Sequence, residues 1–292
     1  MKSILGVARA KFLLLPVTLV AVGATASTRD GAFDPVATVA ALLGLVALHA
    51  AVNAFNEYSD FRRGIDLETQ RTPFSGGSGT LPGGAPARIA LGVGIGGSVF
   101  GTIVGVYFLY SVGSQLLPVY ILGALCVLGY TDFLARIYLG EIFAGLGLGT
   151  LPVLGAAMVQ GGGLGPTALA ASIPPFFMTL NLLLLNEFPD EEADRRGGRR
   201  NLLILFGRRK AARIYVLAGW LTKISLLVPV LTGTFHPVCL LALVPSVALI
   251  PPTRWALARP EDPVPVSALG ANVTWNLATN TVLALCLALS LL

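Results

Sequence analysis

Charge is what this chain is shortest of. Asp, Glu, Lys and Arg make up 12% of its 292 residues, about half the share of an ordinary soluble domain, which excludes a polar shell wrapped around a small core. Cysteine is nearly absent, and Cys126, Cys239 and Cys286 all fall within apolar runs, so no disulfide framework is implied. The two histidines, His49 and His236, stand far apart with no Cys or His beside either, which removes the usual zinc-site patterns. The glycine-rich run SGGSGTLPGG at 75 to 84 lacks the Gly-Lys-Ser/Thr ending of a nucleotide P-loop and reads instead as a mobile loop over a site. Apolar residues dominate, at 54% of the chain with a mean hydropathy of +0.77. An integral membrane protein is the reading.

Runs long enough to cross a bilayer, which takes about 20 residues, fall near 11 to 28, 34 to 55, 88 to 111, 114 to 134, 138 to 160, 165 to 187, 211 to 232, 235 to 251 and 267 to 291. The expected fold is therefore all-α, a polytopic bundle of nine transmembrane helices, with no linker dividing 1 to 292 into more than one domain. Loops that retain Lys and Arg stay in the cytoplasm. Here Lys2, Arg9 and Lys11 precede the first helix, Arg62, Arg63, Arg71 and Arg88 join the second to the third, and a cluster from Arg195 to Arg213 follows the sixth. Only Arg29 lies among the opposite loops. The N-terminus is expected in the cytoplasm, and the protein in the cell's inner (cytoplasmic) membrane. A signal peptide ending near ATAS is the competing account of the first helix, but its removal strips an apolar segment from the bundle.

Against this background two short elements stand out, NEYSD at 56 to 60 and NEFPD at 186 to 190. Each follows an apolar run and is trailed by carboxylates and arginines. Asn56 and Asp60 are four residues apart and share one helix face, with Asp66 beyond Gly64 supplied by a loop; Asn186, Asp190 and Asp194 repeat the four-residue spacing twice. Pro189 is expected to kink that helix or restart it. Two columns of oxygen ligands without clustered His or Cys suit a hard cation, and Mg2+ is commonly held by a few carboxylates while substrate phosphates complete its octahedron. Solvated loop charge is the plainer reading of one such element, and the repetition at matching helix ends argues against it. Glu57 and Glu187 lie about 100° around an ideal helix from these faces and are expected to point away.

With these motifs on the page, the chain resembles the UbiA superfamily of intramembrane prenyltransferases over its whole length. The first motif of menaquinone-type members matches Asn56, Asp60 and Asp66; the second matches Asn186, Asp190 and Asp194, followed by GGRRNL; a third segment matches Tyr130, Tyr138, Gly140 and Glu141. The resemblance implies transfer of a polyprenyl group from polyprenyl diphosphate to an aromatic acceptor, with Mg2+, two ions bridging the diphosphate, bound by Asn56, Asp60, Asp66, Asn186, Asp190 and Asp194. Arg71, Arg199 and Arg200 are the diphosphate-binding candidates, and Tyr130, Tyr138 and Glu141 the catalytic ones, the tyrosines and nearby Phe133 as electron-rich faces for an allylic cation. The segment QRTPFSGGSGTLPGG replaces the Arg-Pro-rich stretch of many members, which sets the 4-hydroxybenzoate, haem and glyceryl-lipid branches behind a menaquinone-type acceptor, 1,4-dihydroxy-2-naphthoate. Homogentisate and chlorophyllide are further alternatives. The expected partners are these two substrates and membrane lipid, with no nucleic acid.

Two other enzyme and carrier classes fit less well. CDP-alcohol phosphotransferases keep their carboxylates in one run, whereas here they are split by 120 residues or more; a transporter places them at mid-membrane on broken helices. Asn272, Asn276 and Asn280 form a column at four-residue spacing expected to bond neighbouring helices, and Lys223 is expected to pair with a helix-end carboxylate.

Overall fold

The computed structural model describes residues 1–68, 71–161 and 163–291, and among these there is no β-strand. Eight helices are long and apolar enough to cross a membrane. In chain order the bundle runs α1 (Ala10–Arg29), α2 (Pro35–Arg62), α3 (Ala87–Val112), the shorter α4 (Ser114–Gly129), α5 (Gly140–Met158), α6 (Pro166–Arg196), α7 (Arg208–Leu231), α8 (Pro237–Ala258) and α9 (Val266–Leu289).

The expected fourth crossing, 114 to 134, stops at Gly129 for a local reason. Residues 130 to 139 leave the helix for turns that pair with the segment after α6: Arg200 N–H donates to the Ala135 carbonyl and Tyr138 N–H to the Arg200 carbonyl, both at 3.0 Å. Conversely, α2 and α6 extend well past their expected ends at 55 and 187, so NEYSD and NEFPD are helical rather than loop-borne. Asp34 starts α2 by accepting from Val36 N–H and Ala37 N–H, with Pro35 in the first turn. Pro189 neither breaks nor restarts α6, which runs continuously from Ile173 to Arg196.

Close helix contact needs small residues when lipid is the solvent. A side chain at Gly97 would meet the Ala47 carbonyl oxygen at 2.5 Å and one at Gly101 would meet Leu48 at 2.4 Å, so α3 lies directly on α2. Outward, Leu43, Ile103, Leu217, Val244 and Leu285 are exposed, as faces turned to hydrocarbon should be. The cores are apolar too: Met178, Leu184, Tyr215, Leu269 and Trp275 lie in one cluster, and Leu19, Val22, Leu226, Phe235 and Leu283 in another. The asparagine column is buried, and Asn272 bonds neighbouring helices as expected, accepting from Tyr215 Oη at 3.0 Å and donating through Nδ2 to the Asn181 carbonyl at 3.2 Å, whereas Asn280 Nδ2 donates to Asn276 Oδ1 at 3.1 Å within α9, leaving Asn276 Nδ2 and Asn280 Oδ1 without partners. Lys223 meets an aromatic ring instead of the expected carboxylate, its Nζ 4.3 Å from the Trp220 centroid.

Alternation of the helices gathers two different ends. At one, Arg29 Nη1 donates to Ser290 Oγ at 2.9 Å, Asp30 accepts from Thr167 N–H and Ala168 N–H, and Gln160 Oε1 accepts from Asp34 N–H. At the other meet the residues before α1, the end of α2, the loop to α3, residues 130 to 139, the end of α6 and the segment leading to α7. That second end holds the site.

Candidate active site

The two acidic elements face each other across a cavity of about 160 Å3 at this end of the bundle. Asn56 and Asp60 project from the last turns of α2, Asp66 from the short helical turn Ile65–Glu68, and Asn186, Asp190 and Asp194 from the end of α6; all six line the cavity. Arg199 joins them. After α6 the pair Gly197 and Gly198 reverses the chain, Gly198 at a φ of 76° that favours glycine, and Arg199 returns to lie 2.5 Å from Asp60 Oδ2 and 3.6 Å from Asp194 Oδ1. Burial works against the Arg199 charge, but Asp60 and Asp194 outweigh it and hold the guanidinium well above its ordinary pKa.

The face assignment is corrected here for Glu187, not for Glu57. Glu57 is fully buried, and it accepts from Arg9 Nε at 2.7 Å, from Ser78 N–H at 2.6 Å and from Ser78 Oγ at 2.8 Å. Arg9 and Ser78, from the N-terminal segment and the 75–84 loop, cover the face it occupies, outside the cavity lining, while Arg62 nearby stays exposed. Glu187 is buried and lines the cavity. Arg9, read from the sequence only as a topology signal, lines the cavity as well, with Nη2 donating to Asn56 Oδ1 at 3.1 Å. It adopts a φ of 49°, one of two non-glycine residues with positive φ among those described. A cation just before the first helix was the sole sequence signal for it.

The glycine-rich loop lies over the site and is pinned on both sides: Gly76 N–H donates to Asp190 Oδ2 at 3.1 Å, while Ser78 binds Glu57. Gly77, at a φ of 71°, leaves no room for a side chain, since a Cβ there would meet Asp66 Oδ1 at 2.7 Å. Lys11 Nζ donates to the Pro73 carbonyl, tying the start of α1 to the same loop.

Several expected participants stand elsewhere. Arg71 donates to the Asp66 carbonyl at 2.9 Å and so holds a ligand candidate from behind, outside the cavity lining. Arg200 and Tyr138 also lie outside the lining; the Arg200 guanidinium sits 5.9 Å from the Tyr138 ring centroid, and Tyr138, at a φ of 64°, is the second non-glycine residue with positive φ. Glu141, completely buried, accepts from Leu202 N–H at 2.5 Å, anchoring the segment after Arg199. Phe133 is exposed. Tyr130 alone among these aromatics lines the cavity, and burial keeps its phenol protonated by pushing its pKa up, against the opposing pull of Arg199.

Four buried oxygens of the lining have no hydrogen-bond partner: Asp66 Oδ2, Asn186 Oδ1, Glu187 Oε2 and Asp190 Oδ1. Left alone each costs about 1–3 kcal/mol. All are hard oxygen donors drawn from both acidic elements, the donor set that Mg2+ takes. Burial, reinforced by Asp60 and Glu57, raises the Asp66 carboxyl to about 7 despite Arg9 and Arg199. No three His, Cys, Asp or Glu side chains converge on one point among the described residues. His49 and His236 join no such group, and the three cysteines are free and buried.

A second cavity, of about 200 Å3, adjoins the first between α2, α3, α4 and α5. Its lining is almost wholly apolar, with Leu45, Leu48, Val104, Phe108, Val127 and Leu151 among the walls, and it shares His49, Val52 and Leu148 with the polar chamber. A polar head and an apolar tail thus have adjoining compartments.

The chain is similar to known proteins in sequence and fold. The chain is 29% identical over 209 residues to the 1,4-dihydroxy-2-naphthoate octaprenyltransferase of Bacillus subtilis (strain 168), a match over 68% of this chain and 64% of that relative, less than two thirds of its length. The fold is that of a UbiA homolog from Aeropyrum pernix K1 (TM-score 0.74, 15% identity, 97% of this chain and 98% of that one). It is equally that of a UbiA homolog from Archaeoglobus fulgidus bound to GPP and Mg2+ (TM-score 0.68, 17% identity, 96% and 99%). The UbiA prenyltransferase family model matches residues 14–278, the stretch that carries both acidic elements, Arg199 and the two chambers, and the chain belongs to that family.

Proposed function

We propose that this membrane prenyltransferase moves a polyprenyl group from its diphosphate to an aromatic quinone precursor, with 1,4-dihydroxy-2-naphthoate the acceptor that the Bacillus subtilis relative's name suggests. One observation carries the metal dependence. The polar chamber is lined by five carboxyl side chains, Asp60, Asp66, Glu187, Asp190 and Asp194, against two guanidinium groups, Arg9 and Arg199. A diphosphate, itself strongly anionic, is repelled by such a surface unless cations accompany it.

Asp60, Asp66, Asp190 and Asp194, with the amide oxygens of Asn56 and Asn186, are the residues to hold Mg2+. Bound there, Mg2+ acts as a Lewis acid that neutralises charge on the leaving diphosphate. Arg199 and Arg9 supply guanidinium donors to phosphate oxygens, a geometry that suits both bidentate and single contacts. Tyr130 offers the neighbouring allylic centre an electron-rich ring, worth roughly 0.5 to 2 kcal/mol to a cation. The loop pinned by Glu57 and Asp190 excludes water that would otherwise capture the cation. The apolar chamber receives the prenyl chain.

In this reading the nine helices all cross the cytoplasmic membrane, α4 included, with the N-terminus and the site end in the cytoplasm. The concentration of Lys and Arg at that end supports it. The test is incubation of purified protein with prenyl diphosphates of several lengths and a panel of aromatic acceptors, with product masses read in Mg2+ and in excess EDTA. Prenylated product in Mg2+ alone is expected; full turnover in EDTA, or no prenylated aromatic from any pair, overturns it.

A further inference from the structure

The passage between the two chambers is bounded by His49, Val52 and Leu148, the residues common to both linings. Two of the three are apolar. His49 is 5% exposed, with Nδ1 3.2 Å from the Leu45 carbonyl and Nε2 buried without a partner. A carbonyl oxygen only accepts, so the hydrogen in that contact sits on Nδ1. Nε2 of that tautomer is then a bare lone pair, buried where the two linings meet. Opposite, the backbone of Leu146–Thr150 widens into a π-helical turn, a local irregularity found mostly at functional sites, and the Leu148 carbonyl is satisfied sideways by Thr179 Oγ1 at 3.3 Å.

We propose that His49 is the specificity-determining contact for the aromatic acceptor, accepting a hydrogen bond from its ring hydroxyl through Nε2. The assignment rests on the prenyl-transfer reading above. With diphosphate held among the carboxylates and arginines and the chain in the apolar chamber, the allylic carbon that joins them lies in this passage. A ring attacking that carbon enters the same passage and brings a hydroxyl into apolar surroundings, where an unpaired O–H is costly. His49 is the polar side chain there to receive it. A site that bonds a substrate hydroxyl discriminates strongly against analogues lacking one, so acceptors without a free hydroxyl are excluded here by His49 rather than by shape.

The experiment compares wild-type, His49→Ala and His49→Gln protein in detergent, measuring three constants: KM for the dihydroxy acceptor, the inhibition constant of its O-methyl ether, and Kd for geranyl diphosphate with Mg2+. His49→Ala is expected to raise the acceptor KM at least about tenfold, a single hydrogen bond's worth, while leaving the O-methyl ether and geranyl diphosphate within about twofold. His49→Gln, which keeps an acceptor oxygen, is expected to recover most of the loss. An unchanged acceptor KM, or equal losses for the acceptor and its ether, overturns the assignment; a fall in geranyl diphosphate binding as well shows a structural role and also overturns it. Failure of the prenyl-transfer reading is distinguishable, because it shows in the wild-type protein as absence of any prenylated aromatic before a variant is made.

Discussion

Arg199 Nη2 lies 2.5 Å from Asp60 Oδ2 and its Nε 3.6 Å from Asp194 Oδ1, so one guanidinium ties together carboxylates of α2 and α6. In the proposed function it offsets the site's negative charge beside the diphosphate. Replacing Arg199 by Ala is expected to weaken binding of prenyl diphosphate more than binding of the acceptor, because only the former offers oxygens to it. Isothermal titration with each substrate checks this, and equal losses for both would point to collapse of the site.

Asp60→Asn and Asp190→Asn each remove one anionic oxygen at nearly constant volume. Turnover is expected to drop by at least about 100-fold for either, equivalent to roughly 2.7 kcal/mol of transition-state stabilisation. Since both act on one diphosphate, the double variant is expected to lose much less than the product of the single losses. Initial rates for the four proteins give the answer, and a fully active, folded Asp60→Asn enzyme would remove the metal cradle.

Glu57→Gln is expected to be damaging, contrary to what its angle on the helix implies. The charged bonds from Arg9 and Ser78 are each worth about 1.5–3 kcal/mol, and the amide keeps only part of them. The loop at 75 to 84 should loosen while Asp60 and Asp190 remain in place. Faster proteolytic cleavage within the loop, with Mg2+ binding retained, is the signature to look for; wild-type cleavage rates would contradict it.

Gly77→Ala and Gly84→Ala separate backbone strain from crowding. Both positions have positive φ, 71° and 95°, but a Cβ at Gly77 runs into Asp66 whereas one at Gly84 meets nothing within 4 Å. Each pays about 1–2 kcal/mol for the left-handed conformation. Only Gly77→Ala is expected to lower Mg2+ affinity, by tenfold or more, in a metal titration run beside thermal unfolding.

With its carboxyl raised to about 7 by burial and by Asp60 and Glu57, Asp66 is largely protonated in mildly acidic solution before metal binds. A cation binds the carboxylate form and so expels that proton. Apparent Mg2+ affinity is therefore expected to be full above pH 7 and to fall as pH drops below it, by up to about tenfold per unit for one proton. Titrations at pH 6 and 8 in buffers of different ionisation enthalpy measure both the affinity and the proton released, and Asp66→Asn should abolish that part of the dependence.

Much of this site was legible because helical spacing converts directly into direction. Asn56 with Asp60, and Asn186 with Asp190 and Asp194, do line one cavity as their four-residue intervals imply. What spacing leaves out is who covers the other faces. By angle alone Glu57 and Glu187 point away from the cavity; Glu57 does stand outside the lining, buried against Arg9 and Ser78, whereas Glu187 lines it. Arg9 reaches Glu57 across 48 positions of sequence, a pairing that no local pattern encodes. Tyr138, Glu141 and Arg200 match the family's segments but serve to tie them together, Glu141 through its carboxylate on Leu202 N–H and Tyr138 and Arg200 through their main chains. Helix ends erred for a related reason: hydropathy stops at the first charge, whereas α2 and α6 continue through their acidic turns.

The far end of the bundle carries the stitches from Arg29 to Ser290 and from Asp30 to Thr167 and Ala168, joining α1, α9 and α6 where no substrate is handled. Stitched there, these helices act as levers with a common fulcrum. Asp190 lies 23 positions along α6 from the stitched Thr167, about 35 Å at 1.5 Å per residue, so a tilt of only about 3° at the fulcrum displaces it by about 2 Å. Motion invisible at the stitched end thus becomes a gap wide enough to matter among the carboxylates, and a bilayer that squeezes or relaxes the helices would set the jaw width of the site without touching any residue in it.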